Sequence, residues 1–152
     1  MNARCILTVI CVGLATLVAF PALQADHDEG EQLLGTWRVT IGAPFNAFAH
    51  LVFHKGNTMT EENTLSAGIS MSSGVWKKIR GRGNFATTFE AFSDDDLDGV
   101  YDTRGLIRQT IHVEGDTLVG TGTVEIRSLD GAMLFDTLSS PFEATRMTVI
   151  RE

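Results

Sequence analysis

The sequence predicts an all-β protein, built as a single closed antiparallel up-and-down barrel of about eight strands. The first observation is residues 35–41, where the apolar Trp37, Val39 and Ile41 alternate with polar residues, as in a strand with one face in water. The second is that similar stretches recur about every 8 to 12 residues, separated by Gly, Asn and Asp turns. The third is that no stretch of about ten residues carries the apolar stripe of a helix.

The expected strands follow from this alternation and from the turn residues between them. In chain order they span residues 33–41, 47–54, 58–65, 74–80, 84–92, 106–113, 118–126, 133–138 and 142–150. A break at residues 139–141, which end in Pro141, is expected to separate the last two strands. In the stretch 118–126, Gly120 and Gly122 share the inward side, which fits a strand that bends sharply as a small barrel closes.

The first 25 residues are predicted to be a secretory signal peptide and not part of the fold. Arg4 gives a positive start, residues 6–20 are nearly all apolar, and the segment ends at the small residue Ala25. The apolar run is shorter than the roughly 20 residues that span a bilayer, although an uncleaved anchor is the alternative. We therefore expect cleavage after Ala25, a polar lead-in at 26–32, a barrel domain at 33–152, and a secreted or periplasmic protein.

Cleavage after Ala25 would leave 127 residues without cysteine, because Cys5 and Cys11 both lie in the predicted signal peptide. Disulfide and thiol chemistry are then excluded, so stability has to come from a packed core. The net charge of −7 becomes −8, since Arg4 is lost and all 19 acidic residues remain. Such an acidic domain repels nucleic acid and anionic lipid, so we expect no nucleic-acid partner and no membrane insertion after cleavage.

Two short motifs resemble those of the lipocalins and the wider calycin group. One is Gly35-Thr36-Trp37 on the first strand, and the other is Ala144-Thr145-Arg146 near the end of the chain. In that family the arginine lies over the indole and closes one end of the barrel, which is a cation–π contact. The resemblance therefore implies barrel closure by Trp37 and Arg146, and a cavity for a small, largely apolar ligand.

Five residues are candidates for contact with such a ligand: Trp37, Trp76, Phe85, Phe89 and Gln109. The aromatic side chains would supply apolar surface, and Gln109 would place an amide among the isoleucines of its strand. Trp76 has a second interpretation as a core residue, since a tryptophan on a strand is more often packed than available to a ligand. The expected partner is a small hydrophobic molecule, and no organic cofactor is expected.

An acidic loop at residues 94–102 matches the pattern D-x-D-x-D-G-x-x-D at every defined position. It resembles the calcium loops of extracellular repeat proteins such as integrin propeller blades and thrombospondin repeats. Calcium takes several hard oxygen ligands that converge at short range. The candidate ligands are the carboxylates of Asp94, Asp96, Asp98 and Asp102 and the carbonyl of Val100. The alternative is a solvated acidic hairpin in which aspartates favour the turn.

A catalytic function is the second hypothesis for the barrel. Glu90 lies among Phe85, Phe89 and Phe92, and a carboxyl facing a dry interior would have a raised pKa and could move protons. The alternative is that Glu90 points to solvent, because Phe85 and Phe89 lie on the opposite face of the strand. Such a protein would be a cofactor-independent cyclase or isomerase, like the allene oxide cyclases that share this general architecture. The third hypothesis is a filled barrel that acts through its outer face as an extracytoplasmic interaction module.

Overall fold

The structure is a computed structural model that describes residues 30–64 and 68–148. These residues form eight strands, each hydrogen-bonded to the next, and the eighth pairs with the first, so the sheet is a closed antiparallel barrel. The all-β up-and-down fold predicted from the sequence is thus confirmed. The predicted signal peptide lies outside the described residues. Between residues 30 and 148, leaving aside 65–67, no helix is long and apolar enough to cross a membrane.

The strands differ in length, which makes the barrel taller on one side. They are β1 (Gly35–Ile41), β2 (Ala47–Phe53), β3 (Thr58–Asn63), β4 (Ser72–Lys78), β5 (Asn84–Ser93), β6 (Thr103–Glu114), β7 (Thr117–Ser128) and β8 (Met133–Arg146). Strands β6 to β8 have 12 to 14 residues, whereas β1 to β4 have six or seven. The long strands therefore stand above the short ones at one end, which we call the open end.

Alternation of apolar and polar residues explains which face of each strand lies inside. In β2 the side chains of Ala47, Ala49, Leu51 and Phe53 are buried, while Phe48 and His50 between them are exposed. The same period of two runs through β5, where Phe85 and Phe89 face inward. A two-residue turn connects β6 to β7, and Gly115 in it has a φ of 60°, a conformation that glycine adopts without steric cost.

The last strand corrects the prediction from the sequence. Two strands separated at residues 139–141 were expected, but β8 is continuous from Met133 to Arg146. Its pairing with β1 begins only at Phe142, so β8 has a neighbour on one side alone before that residue. The carbonyl of Pro141 accepts a hydrogen bond from the Gly42 N–H on the β1 side, so its ring nitrogen also points away from β7. Proline is tolerated there because no ladder donor to β7 is lost.

The half of the barrel opposite the open end, which we call the closed end, is filled by packed side chains. Trp37, Phe53, Phe85 and Leu118 are each at most 2% exposed there. The first strand was expected to start at residue 33, but it starts at Gly35, and Leu33 instead turns inward and is fully buried. Residues 30–32, which belong to the predicted polar lead-in, form a turn with Leu33, whose N–H donates to the Gly30 carbonyl.

Arg146 joins this turn to the barrel wall. Its guanidinium carbon lies 4.2 Å from the centre of the Trp37 ring. The same side chain donates hydrogen bonds to the backbone carbonyls of Gln32 and Leu34, and Nε donates to Asp116 at 2.9 Å. The indole N–H of Trp37 donates to the Leu33 carbonyl at 2.8 Å. One cation therefore seals the closed end by connecting β8 to residues 32–37 and to the turn between β6 and β7.

Candidate functional site

A cavity of about 410 Å³ occupies the open half of the barrel. It extends from the middle of the strands to the loops at the open end, where Phe45, Ile69 and Asp95 border it. Most of its wall is apolar. The apolar side chains around it are Ile41, Phe45, Ile69, Phe89, Ala91, Phe92, Ile107, Val124, Ile126, Leu134, Phe135 and Phe142. A cavity of this size and composition suits a small, mainly apolar molecule.

The five candidate ligand residues divide between the two halves of the barrel. Phe89 and Gln109 line the cavity. Trp37, Trp76 and Phe85 do not, because they are packed against one another and their neighbours in the closed half. Trp76 meets Phe85 edge-on at 5.9 Å between ring centres, and its N–H donates to the His54 carbonyl at 3.2 Å. Trp76 is therefore a core residue, as the second interpretation of the sequence expected. Trp37 and Phe85 also belong to the packed core.

The cavity has a buried carboxyl group on its wall, that of Glu61 in β3. The residue is 6% exposed and lines the cavity. Ser72 Oγ donates to Glu61 Oε2 at 2.5 Å, and Asn63 Nδ2 donates to Oε1 at 2.9 Å. Burial raises the pKa of Glu61 above its usual value of 4.5, and the nearby charge of Glu62 adds to the rise, while the two hydrogen bonds oppose it. Among the described residues, Glu61 is therefore the acidic residue whose carboxyl group is buried away from water.

Glu61 was not among the candidate residues predicted from the sequence, although the alternation of residues along its strand pointed to it. Met59 is an apolar residue on a predicted strand, and Glu61 and Asn63 follow it at intervals of two. If Met59 faces inward, as it does in β3, the period of two puts both polar residues on the inner face. The signal was weak because β3 has only one apolar residue, so the sequence alone did not fix which face was inside.

A second polar pair lies on strands β5 and β6. Thr87 is buried, and its hydroxyl donates to Gln109 Oε1 at 3.1 Å. Gln109 therefore keeps its Nε2 group available as a donor beside the cavity. Gly122 of β7 pairs with Gln109 across the sheet, and both residues line the cavity.

The charges around the cavity all have one sign. Glu61 and Asp95 are its acidic lining residues, and the described residues that line it include no lysine, arginine or histidine. No ion pair joins Glu61 to a cation within the described ranges 30–64 and 68–148. The electrostatic environment of the cavity is therefore negative.

Glu90 does not supply an interior carboxylate. It lies on β5 between the buried Phe89 and Ala91, and because side chains alternate along a strand, Glu90 points outward and is exposed. Its neighbours across the sheet are Ser73 of β4 and Leu106 of β6. The prediction of an inward-facing acid on β5 is thus corrected, since the inward-facing acid is Glu61 on β3.

The acidic loop between β5 and β6 brings together three of the four aspartates that the sequence marks as candidate calcium ligands. Carboxylate oxygens of Asp94, Asp96 and Asp102 lie within 4.8 Å of one another. The carboxylate of Asp98 instead accepts a hydrogen bond from the Val100 N–H at 2.8 Å. Asp94 accepts bonds from the N–H groups of Asp98 and Gly99, at 3.1 and 2.8 Å. The loop is thus organised by its own backbone, and three carboxylates converge in it.

Comparisons with family models, with curated proteins and with solved structures found no match to this chain.

Proposed function

We propose that this protein is an exported, lipocalin-like barrel that binds a small, largely apolar molecule in the cavity of its open half. The observation that carries the proposal is the cavity itself, of about 410 Å³ and walled mainly by aliphatic and aromatic side chains. A barrel that acted only through its outer face would have no need of a hollow interior. Here the closed half is filled, while the open half is not.

Three features of the barrel support this proposal. The closed half, sealed by Trp37 and Arg146, gives the cavity a rigid floor. The long strands β6 to β8 extend its wall, so that Leu134 and Phe135 add apolar surface near the entrance. Hydrogen-bonding groups on two strands of the wall, Glu61 on β3 and Gln109 on β6, would orient a ligand that carries a polar group. Export is part of the proposal and depends on the predicted signal peptide.

A binding assay with pyrene, an uncharged fluorescent hydrocarbon, tests the proposal. Replacing Gly122 by leucine would fill part of the cavity, because a Cβ there makes only ordinary contacts, with Gln109 at 3.4 Å and with the Arg108 carbonyl oxygen at 3.9 Å. We expect the wild-type protein to bind pyrene and Gly122→Leu to bind it at least tenfold more weakly. Thr121→Leu is the matched control, since Thr121 is the exposed neighbour on the same strand. Absence of pyrene binding, or equal binding by all three proteins, would count against the proposal.

A second candidate function is proton transfer, and the position of Glu61 favours it. A carboxyl with a raised pKa beside an apolar cavity is suited to remove a proton from one carbon of a bound substrate and return it to another. During such an isomerisation a C–H bond is exchanged for the O–H bond of Glu61 and then re-formed. No oxidant, reductant or organic cofactor is needed.

Deuterium incorporation distinguishes this second candidate from binding alone. Unsaturated ketones that displace pyrene would be incubated with the protein in D₂O, and their deuterium content would be followed by mass spectrometry. Catalysis predicts uptake that Glu61→Gln abolishes and that Glu90→Gln leaves unchanged. Binding without deuterium uptake would leave the protein as a carrier.

A further inference from the structure

We propose that the ligand of the cavity is an apolar amine, with its ammonium group against Glu61 and its hydrocarbon part along the apolar walls. This inference rests on the proposed binding function, because it names the chemical class of the molecule that the cavity would hold. Two observations carry it: the position of Glu61 and the absence of basic side chains from the described lining.

Glu61 is a buried acid without a cationic partner among the described residues. Buried ionised groups in proteins are normally paired with an opposite charge, because loss of hydration is costly. Glu61 is 6% exposed and has no cationic partner in the part of the chain that the structure describes. Across the sheet it faces Leu51 of β2 and Ser72 of β4, and the charged residue next to it is Glu62, which is also acidic. Among the described residues, none therefore supplies the positive charge that would complete this site.

The carboxylate of Glu61 can accept more hydrogen bonds than its two protein donors supply. An ionised carboxylate has about four acceptor positions, of which Ser72 and Asn63 occupy two. Both neighbours donate to Glu61, an arrangement that suits the ionised form, since a protonated acid would itself have to donate from one oxygen. An ammonium group carries three donors and a positive charge. An ammonium group in the cavity can therefore donate to the remaining acceptor positions of Glu61 and also neutralise its negative charge.

Ligands with a negatively charged head group fit this cavity poorly. A fatty acid or another apolar carboxylate would bring a second negative charge beside Glu61, in a space of low dielectric constant with no basic residue among the described lining. Repulsion would disfavour such a ligand. An uncharged alcohol would fit the apolar walls but would leave the charge of Glu61 unpaired.

Three straight-chain probes of equal length test the inference: decylamine, decan-1-ol and decanoate. The amine and the carboxylate would be titrated below their critical micelle concentrations, and the alcohol below its solubility limit, against pyrene-loaded protein at neutral pH. We expect decylamine to bind at least about tenfold more tightly than decan-1-ol, and decanoate to bind most weakly. In Glu61→Gln the amine should lose this advantage, while decan-1-ol binding stays within about threefold. Glu90→Gln, which removes an exposed acid from the outer face, should keep the wild-type order.

The outcomes separate this inference from the function on which it rests. If pyrene and decan-1-ol bind but decylamine binds no more tightly than the alcohol, the amine assignment is wrong and the binding function stands. Tighter binding of decanoate, or an amine preference that persists in Glu61→Gln, would also overturn the assignment. If none of the probes binds, the binding function fails as well. The comparison within the wild-type protein needs no variant, so it holds even if Glu61→Gln does not fold.

Discussion

The guanidinium group of Arg146 lies over the indole of Trp37, with 4.2 Å between the guanidinium carbon and the ring centre. Because Arg146 also donates to the carbonyls of Gln32 and Leu34, it connects β8 and β1 to the turn that precedes β1. The barrel therefore has two different ends. One is sealed by this contact and by the buried Leu33, and the other opens into the cavity that holds Glu61.

Replacing Arg146 by lysine should lower the free energy of unfolding by about 2 kcal/mol. Lysine keeps the charge but not the planar fork, so the paired bonds to Gln32 and Leu34 cannot both be kept while the side chain covers Trp37. Urea unfolding followed by Trp fluorescence measures the change. Arg38→Lys is the control, since Arg38 is an exposed residue of β1, and it should shift stability by less than about 0.5 kcal/mol. Equal effects of the two substitutions would contradict the sealing role of Arg146.

Alanine at Gly120 should destabilise the protein and alanine at Gly122 should not, although both glycines lie on the inner side of β7. A Cβ at Gly120 would lie 2.5 Å from the ring of Phe142 and 2.5 Å from the Thr110 carbonyl oxygen, so Gly120→Ala should cost about 1–3 kcal/mol. At Gly122 the nearest atom is 3.4 Å away, in the side chain of Gln109. Gly122→Ala should therefore be neutral or stabilise by up to about 1 kcal/mol. Urea midpoints measure both effects, and a destabilised Gly122→Ala would contradict the hollow interior beside β7.

The pH dependence of stability should report the burial of Glu61. Its pKa in the folded protein is raised above 4.5, so the folded state holds the proton more tightly than the unfolded state. The resulting stabilisation is complete below the unfolded pKa and is lost as the pH rises through the folded pKa. Glu61→Gln has no such loss, so its stability relative to wild type should increase from about pH 4 upward until the folded pKa is passed. Thermal melts at a series of pH values measure this difference.

Glutamine at position 61 is a suitable test because it can keep both hydrogen bonds. Its carbonyl oxygen can accept from Asn63, and its amide can donate to the Ser72 hydroxyl, which rotates to accept. Glu90→Gln is again the matched control, since Glu90 is exposed on β5. A stability difference between Glu61→Gln and wild type that stays constant across the pH series would show that Glu61 has no raised pKa.

The class of fold could be predicted from the sequence because alternation is a local property. Most strands of the barrel carry two or more apolar residues at intervals of two, and their turns contain Gly, Asn or Asp. The break predicted at Pro141 was wrong because a strand tolerates proline where no neighbouring strand needs its N–H. This holds at Pro141 because β1, which is distant in sequence, ends opposite Phe142. A sequence pattern marks proline as a breaker but does not show where a neighbouring strand ends.

The site was harder to predict than the fold, for a related reason. Of the four aromatic residues expected around the ligand, Phe89 lines the cavity, whereas Trp37, Trp76 and Phe85 fill the closed half, since packing them away from water contributes most to stability. The cavity is bordered instead by residues whose inward direction depends on the register of short strands, and Glu61 on β3 is the clearest case. Likewise, Glu90 could not be assigned to a face until the burial of Phe89 and Ala91 was known.

Calcium should raise the melting temperature if the loop between β5 and β6 binds it, as the convergence of Asp94, Asp96 and Asp102 suggests. Binding to the folded state alone, with a dissociation constant of about 0.5 mM, adds about 1.4 kcal/mol in about 5 mM calcium, which is a shift of several degrees. Asp96→Asn should abolish the shift, because the amide keeps an oxygen for the Asp98 N–H but removes one charge. Glu114→Gln, an exposed acid at the closed end, should preserve it. Melting curves recorded with calcium and with a chelator decide the matter: coincident curves for the wild-type protein would reject the site and favour an acidic hairpin that its own backbone hydrogen bonds hold in place.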